Sequence, residues 1–136
     1  MSDAKKLELY VDGASRGNPG FAGIGAYALS EGKVVFELAE FIGETTNNVA
    51  EYRALIRGLE EALAKGYAAI SVSSDSELLV RQIQGEYKIK ADHLIPLLSK
   101  ARGLISRFSS FSIQSIPREK NKQADRLANL ALNLHS

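Results

Sequence analysis

A long helical pattern between two strand patterns is the feature that most constrains the fold. Val49 to Lys65 is rich in Ala, Leu, Glu and Arg, with apolar residues near helical spacing. Before it, Leu7–Val11 alternates apolar and polar residues, and after it Ala69–Asp75 forms a second strand-like run. A helix that connects two strands of one sheet makes a right-handed crossover, which leaves those strands parallel. The sequence therefore predicts an α/β fold with parallel strands at 7–11 and 69–75.

Two further strand patterns lie between the first strand and the helix. Gly25–Leu29 and Val34–Ile42 are separated by a short turn at Ser30–Lys33, which predicts an antiparallel meander. The stretch Gly13–Gly20 contains three glycines, an asparagine and a proline, and it predicts an irregular turn-rich loop.

The second half of the chain continues the alternation of helices and strands. The sequence predicts a short helix over Ser76–Gln84 and a helix over His93–Arg107 with Asp92 as its cap. A strand over Phe111–Ile116, a basic loop and a helix over Ala124–Leu134 follow. The chain shows no repeat or linker, so we expect a single domain over residues 1–136.

The composition excludes several classes of protein. No apolar run approaches the roughly 20 residues that span a bilayer, and the first residues lack the apolar core of a signal peptide. Cysteine is absent, so disulfides and thiolate chemistry are excluded, and a cytoplasmic location is expected. The net charge is only +1, so a nucleic-acid partner requires a local basic patch.

Four acidic residues occur at the ends of predicted elements. Asp12 and Asp75 end strands, Glu51 falls in the first turn of the long helix, and Asp125 lies early in the last helix. The carboxyl ends of parallel strands share one sheet edge, so such acids converge there and need a counter-charge such as Mg²⁺ or Mn²⁺. Ordinary structural roles are the alternative. Glu51 and Asp125 are also typical first-turn helix acids, and Asp75 is also a plausible helix cap.

Four segments of the chain resemble type 1 ribonuclease H. They occur in the family's order and run over nearly the whole chain. These segments are Tyr10–Gly20 (YVDGASRGNPG), Thr45–Glu51 (TTNNVAE), Ser74–Ser76 (SDS) and Asn121–Ala128 (NKQADRLA).

The resemblance implies both a fold and an activity. The fold is ribonuclease H-like, a five-stranded mixed sheet of three antiparallel strands followed by two parallel strands, with helices on both faces. The activity is endonucleolytic hydrolysis of the RNA strand of RNA–DNA hybrids, which leaves 5′-phosphate ends and uses two Mg²⁺ ions, with Mn²⁺ as a substitute. The resemblance assigns catalysis and metal binding to the same four carboxylates: Asp12, Glu51, Asp75 and Asp125.

The resemblance also assigns positions that contact the substrate. By their place in the motifs, these are Gly13, Asn18, Asn47 and Asn48. Arg118 is added to them, because the loop before the last acid carries a histidine in many bacterial members of the family and here has none. Arg118 substitutes for that histidine electrostatically but cannot transfer a proton near neutral pH.

Two other departures concern the middle of the chain. Many family members carry a basic protrusion with tryptophan, whereas this chain has no tryptophan and only a short link over Gly85–Asp92. Surface cations then have to supply phosphate contacts: Arg81, Lys88, Lys90, Arg118, Lys120 and Lys122. Glu77 replaces a glutamine that is frequent in the family, and the extra acid is expected to affect substrate or metal binding.

Three hypotheses follow for the function. The first is a monomeric hybrid-cleaving nuclease, with double-stranded RNA as a further substrate because the protrusion is missing. The second is a binding module without catalysis, which has little reason to keep all four acids. The third is a protein interaction domain, which would expose a large apolar patch, and the sequence identifies none.

Overall fold

The computed structural model describes residues 5–135 and contains one five-stranded sheet with the strand order β3-β2-β1-β4-β5. The strands are β1 (Lys6–Gly17), β2 (Gly20–Ser30), β3 (Lys33–Thr45), β4 (Ala69–Ser74) and β5 (Ser110–Ser115). The α-helices are α1 (Asn47–Ala64), α2 (Glu77–Ile83), α3 (Ile95–Ile105) and α4 (Lys122–His135). The predicted mixed sheet is confirmed. The first four residues and Ser136 of the expected domain lie outside the described residues.

The first three strands form the predicted antiparallel meander, but the predicted loop at Gly13–Gly20 is wrong. β1 continues to Gly17 and pairs with β2 as far as Gly17↔Gly20, so only Asn18 and Pro19 form the turn. The glycines were expected to break the strand. They remain extended because the long antiparallel ladder pairs their backbone N–H and C=O groups.

Helix α1 crosses from β3 to β4 and makes β1 and β4 parallel, as predicted. Thr46 caps its start by accepting a hydrogen bond from the Val49 amide. At its end, the amides of Gly66 and Tyr67 donate to the carbonyls of Leu63 and Ala62, and Gly66 takes the positive φ of 86° that this ending favours.

Two predictions at helix starts are wrong. Helix α1 begins at Asn47, two residues earlier than expected, so Glu51 is in its second turn rather than its first. Asp92 does not cap α3 with its side chain, because a 3₁₀ turn over Asp92–Leu94 precedes Ile95. The alternative role of Asp75 as a helix cap is also not observed, since the Ser76 hydroxyl accepts from the Leu79 amide at the start of α2.

Helices cover both faces of the sheet. Gly58 of α1 lies against Leu9 and Val11, whereas Gly25, on the opposite face, lies against Ala124 and Ala128 of α4. Helix α3 packs on α1. The core between α1 and the sheet is fully buried and aliphatic: Leu7, Leu9, Val11, Ile70, Val72, Leu55 and Leu59. None of the helices within residues 5–135 combines the length and apolarity needed to cross a membrane.

Candidate active site

Asp12 and Asp75 come together because of the register between β1 and β4. The parallel ladder ends at Val11↔Ser74, so each aspartate is the next residue on its chain. β4 stops there, while β1 continues along β2. The two carboxylates therefore flank the notch where β4 leaves the sheet. Asp12 is only 6% exposed, and Asp75 is half-buried.

Glu51 reaches the same notch from helix α1. Its Oε1 atom accepts a 2.6 Å hydrogen bond from the Gly13 amide, which follows Asp12 directly. This contact requires α1 to lie very close to β1. A Cβ atom on Gly13 would stand 2.4 Å from the Ala50 carbonyl carbon and 2.5 Å from the Glu51 nitrogen. The glycine thus allows the helix to deliver Glu51 to the sheet edge.

Three of the predicted acids form a cluster, and the fourth adjoins it. One carboxylate oxygen from each of Asp12, Glu51 and Asp75 lies within 4.8 Å of the others. Asp125, in the first turn of α4, lies close enough to the Asp12 carboxyl to raise its pKa. Oxygen donors grouped in this way fit a hard divalent cation such as Mg²⁺ or Mn²⁺.

Burial and mutual repulsion favour the protonated forms of these acids. Burial, together with the negative charges of Glu51 and Asp75, raises the pKa of Asp12 to about 9. Burial also raises the pKa of Glu51 to about 8, although the Gly13 amide and the charge of Arg118 act in the opposite direction. The cluster therefore lacks positive charge, which a bound cation would supply.

The predicted substrate-contacting residues surround this cluster, and two of them have structural bonds. Asn18 Oδ1 accepts from the Asn47 amide at 3.1 Å, and Asn47 Oδ1 accepts from the Ser15 amide at 3.0 Å. These bonds tie the β1–β2 turn to the start of α1, and both asparagines remain exposed. Asn48 lines a cleft of about 510 Å³ beside the cluster. Arg118 is exposed, close enough to Glu51 for its charge to act there.

Several known proteins are similar to this chain in both sequence and fold. Residues 10–131 match the family described as reverse transcriptase-like. Ribonuclease HI of Halobacterium salinarum is 42% identical over 129 residues, which cover 94% of this chain and 65% of that protein. Its ribonuclease H1 crystal structure superposes with a TM-score of 0.92 and covers 94% of this chain and 98% of the solved chain. The chain belongs to the type 1 ribonuclease H family.

Two other members of the family are similarly close. LC11-RNase H1, solved in complex with an RNA/DNA hybrid, is 44% identical with a TM-score of 0.90, covering 95% of this chain and 98% of that one. A bifunctional protein of Mycobacterium tuberculosis is 43% identical over 130 residues, which cover 94% of this chain but only 36% of that protein. This chain thus spans between about a third and two thirds of the length of these curated relatives.

The departures from the family pattern have clear structural settings. Glu77 is not among the three clustered acids and forms an exposed ion pair with Arg81 at 2.9 Å. Arg81 also pairs with Glu86 at 3.0 Å and lies over the Tyr87 ring, so this predicted phosphate-contacting cation is already engaged. Between α2 and the 3₁₀ turn at Asp92, the chain forms a short link without a helix, as the missing protrusion predicts.

Asn121 is a site residue to which sequence analysis gave no role. It is 1% exposed, and its Nδ2 atom donates to Asp75 Oδ2 at 3.1 Å and to the Val11 carbonyl at 2.9 Å. The sequence feature that could have indicated its role is its place in the last motif, four residues before Asp125. The motif alone did not distinguish a buried amide from a surface amide.

Proposed function

We propose that this chain is an endonuclease that hydrolyses the RNA strand of RNA–DNA hybrids with two divalent metal ions, Mg²⁺ or, in its place, Mn²⁺. The observation that carries the proposal is the cluster of Asp12, Glu51 and Asp75, whose carboxylate oxygens lie within 4.8 Å. The hybrid bound in the structure of LC11-RNase H1, 44% identical to this chain, supports this choice of substrate.

In this proposal, Asp12, Glu51, Asp75 and Asp125 hold the metal ions. Bound divalent ions supply Lewis acidity and lower the pKa of bound water, which is the chemistry that phosphodiester hydrolysis requires. The chain's own contribution is to fix the carboxylates. The Gly13 amide orients Glu51, and the Asn121 amide orients Asp75. The half-buried setting also limits the water around the reacting phosphate.

The proposed contacts with the hybrid come from two elements. Gly13 and Asn18 belong to the β1–β2 hairpin, and Asn47 and Asn48 begin helix α1. The side-chain nitrogens of Asn18 and Asn47 are donors suited to the hybrid backbone, since their oxygens already accept backbone amides. Arg118 contributes positive charge beside Glu51.

Cleavage of strand-labelled substrates tests the proposal. An RNA–DNA hybrid, double-stranded RNA and double-stranded DNA are incubated with the chain in Mg²⁺, in Mn²⁺ and in chelator. We expect metal-dependent cutting of the RNA strand with 5′-phosphate ends, and loss of that cutting in Asp12→Asn. Asp92→Asn is the matched control, because it makes the same chemical change at an exposed position. Equal binding of the hybrid by inert wild-type and Asp12→Asn chains would instead support a binding module.

Double-stranded RNA is a proposed second substrate. The link between α2 and α3 is short, so no protrusion from that link stands beside the cluster to select the hybrid. No cleavage of double-stranded RNA at high enzyme concentration would exclude this extension without affecting the activity on hybrids. The expected monomeric state and cytoplasmic location stay predictions.

A further inference from the structure

A buried hydrogen bond joins helix α1 to helix α2 beside the carboxylate cluster. The Tyr52 hydroxyl donates to Gln82 Oε1 at 2.7 Å, and the two residues are 1% and 6% exposed. The Gln82 backbone is also fixed, because its carbonyl accepts from Arg102 at 3.2 Å and from the Gly85 amide at 3.2 Å. Gln82 therefore has little freedom to reorient.

The bond to Tyr52 fixes which end of the Gln82 amide is free. The Tyr52 phenol donates its proton in this bond. The Gln82 oxygen must accept that proton, and the Nε2 group is left with two protons and no partner among residues 5–135. Among residues 5–135, Asn121 Oδ1 is the one fully buried side-chain polar atom without a hydrogen-bond partner. Gln82 Nε2 also has no partner, so it is not fully buried and is open to the cleft that Gln82 lines.

The cleft that Gln82 lines has the chemistry of a nucleic-acid site. Its wall combines the amides of Asn48 and Gln82 with the half-exposed apolar surfaces of Leu78 and Tyr87, and two cations complete it, Lys88 and Lys90. Glu86 also lines the cleft, and it forms an ion pair at 3.0 Å with Arg81, which it shares with Glu77. Apolar surface suits sugars and bases, amides suit their acceptor atoms, and lysines suit phosphates.

Two residues that line the cleft are close in sequence to members of the carboxylate cluster. Asn48 precedes Glu51 by less than one turn of α1, and Leu78 follows Asp75 at the start of α2. A duplex with one phosphate at the carboxylates would extend over this wall. From this geometry we propose that Gln82, held by the Tyr52 hydroxyl, is a substrate-positioning residue that donates a hydrogen bond from Nε2 to the nucleic acid in the cleft.

Hybrid affinity in chelator is the primary test, since it requires no catalysis, and the proposal rests on the hybrid being the substrate. Gln82→Glu keeps the shape and an acceptor for Tyr52 but replaces the donor with an oxygen. The double variant Tyr52→Phe/Gln82→Met removes both polar groups without leaving one buried and unpaired. For both variants we expect the Kd for the hybrid to rise about tenfold, the effect of one lost hydrogen bond. The melting temperature should stay within a few degrees of wild type.

Gln84→Glu is the matched control, because it adds the same charge at the C-cap of the same short helix. Gln84 Nε2 donates to the Ile113 carbonyl, on the side of α2 that faces β5. We expect its affinity to stay within twofold of wild type. The inference is overturned if the Gln82 variants bind as wild type does, or if Gln84→Glu loses as much affinity as Gln82→Glu.

Cleavage kinetics separate this inference from the proposed activity. If wild type cleaves the hybrid, the Gln82 variants should raise KM about tenfold and leave kcat unchanged, which a purely structural role would not do. If wild type binds but does not cleave, the nuclease proposal fails and the Kd values alone decide the role of Gln82. If wild type neither binds nor cleaves the hybrid, both proposals fail.

Discussion

Asn121 holds Asp75 in place through a hydrogen bond of 3.1 Å from Nδ2 to Oδ2. The second proton of the same Nδ2 group is donated to the Val11 carbonyl at 2.9 Å, so both donors are used. One buried amide thus connects the segment before α4 to the middle of β1 and to the residue that follows β4. Its Oδ1 atom is fully buried without a partner among the described residues. The buried amide is maintained at a cost, as expected for a group that positions a site.

Replacing Asn121 with alanine should destabilise the chain and loosen Asp75. The variant leaves the buried Val11 carbonyl without its amide donor, which lowers the free energy of unfolding by about 1–3 kcal/mol. The affinity for Mg²⁺ should also fall, because Asp75 loses the hydrogen bond that orients its carboxylate. Urea denaturation and calorimetric Mg²⁺ titration measure the two effects. Gln123→Ala, an exposed change nearby, should stay within about 0.5 kcal/mol of wild type. Unchanged stability in Asn121→Ala would contradict the positioning role.

The sequence was sufficient to predict the order of the elements, because periodicity and crossover rules act locally. The strand at Ala69–Ser74 and the helix after Asn47 were predicted from alternation and helical spacing, and their parallel or antiparallel pairing followed. The extent of β1 was not predictable in this way. Gly13–Gly17 has weak strand propensity, and only pairing with β2 across the whole hairpin keeps it extended.

The convergence of the acids was predictable for a similar reason. Asp12 and Asp75 each follow the last pair of the parallel ladder between β1 and β4, so the sheet topology places them next to each other. By contrast, Asn121 and the Tyr52–Gln82 bond depend on packing between elements far apart in the chain. A sequence pattern shows which side chains face inward, but it does not show which buried polar atoms meet.

Gly13→Ala should be among the most destabilising single-methyl changes in the chain. The added carbon would stand within 2.6 Å of three backbone atoms of Ala50 and Glu51, none of which can rotate away. Overpacking of this kind costs about 1–3 kcal/mol or more, and it would also separate Glu51 from the Gly13 amide. Denaturant unfolding measures the loss.

Gly103→Ala is the matched control for this prediction. Gly103 lies in α3, and a Cβ atom there would meet nothing within 4 Å. Alanine is the better helix former, so we expect a gain of about 0.5–1 kcal/mol. A comparable loss at both positions would show that the close approach of α1 to β1 is not the cause.

Without metal, the stability of wild type should decrease as the pH rises. Burial raises the pKa of Asp12 from 3.8 to about 9 in the fold. The folded state therefore binds more protons than the unfolded state between these two values. The loss of folding stability caused by ionising Asp12 is absent below pH 3.8 and complete above about pH 9. Between these values, the free energy of unfolding falls by at most about 1.4 kcal/mol per pH unit for each proton. Urea unfolding in chelator at pH 5 and pH 8 measures this change.

Asp12→Asn should flatten that pH dependence. The amide cannot ionise, and its neutrality also relieves the repulsion on Glu51 and Asp75. At pH 8 in chelator we therefore expect the variant to be more stable than wild type while it lacks activity. If the free energy of unfolding changed equally with pH in wild type and in Asp12→Asn, the buried carboxyl of Asp12 would not be the cause of the pH dependence.

Binding of Mg²⁺ should release protons from the cluster. At pH 7, the raised pKa values of Asp12 and Glu51, about 9 and about 8, keep protons on the site that a cation must displace. We expect release of about two protons per chain at pH 7, and fewer at pH 9, where Glu51 is mostly ionised and Asp12 is about half ionised. Apparent Mg²⁺ affinity should therefore rise with pH.

Calorimetric titration in two buffers of different ionisation enthalpy measures the protons released. Asp12→Asn should reduce the release, whereas Asp92→Asn, at an exposed position, should not. Mg²⁺ affinity that stays constant from pH 6 to pH 9 would rule out protonated carboxyls as the groups that the metal meets.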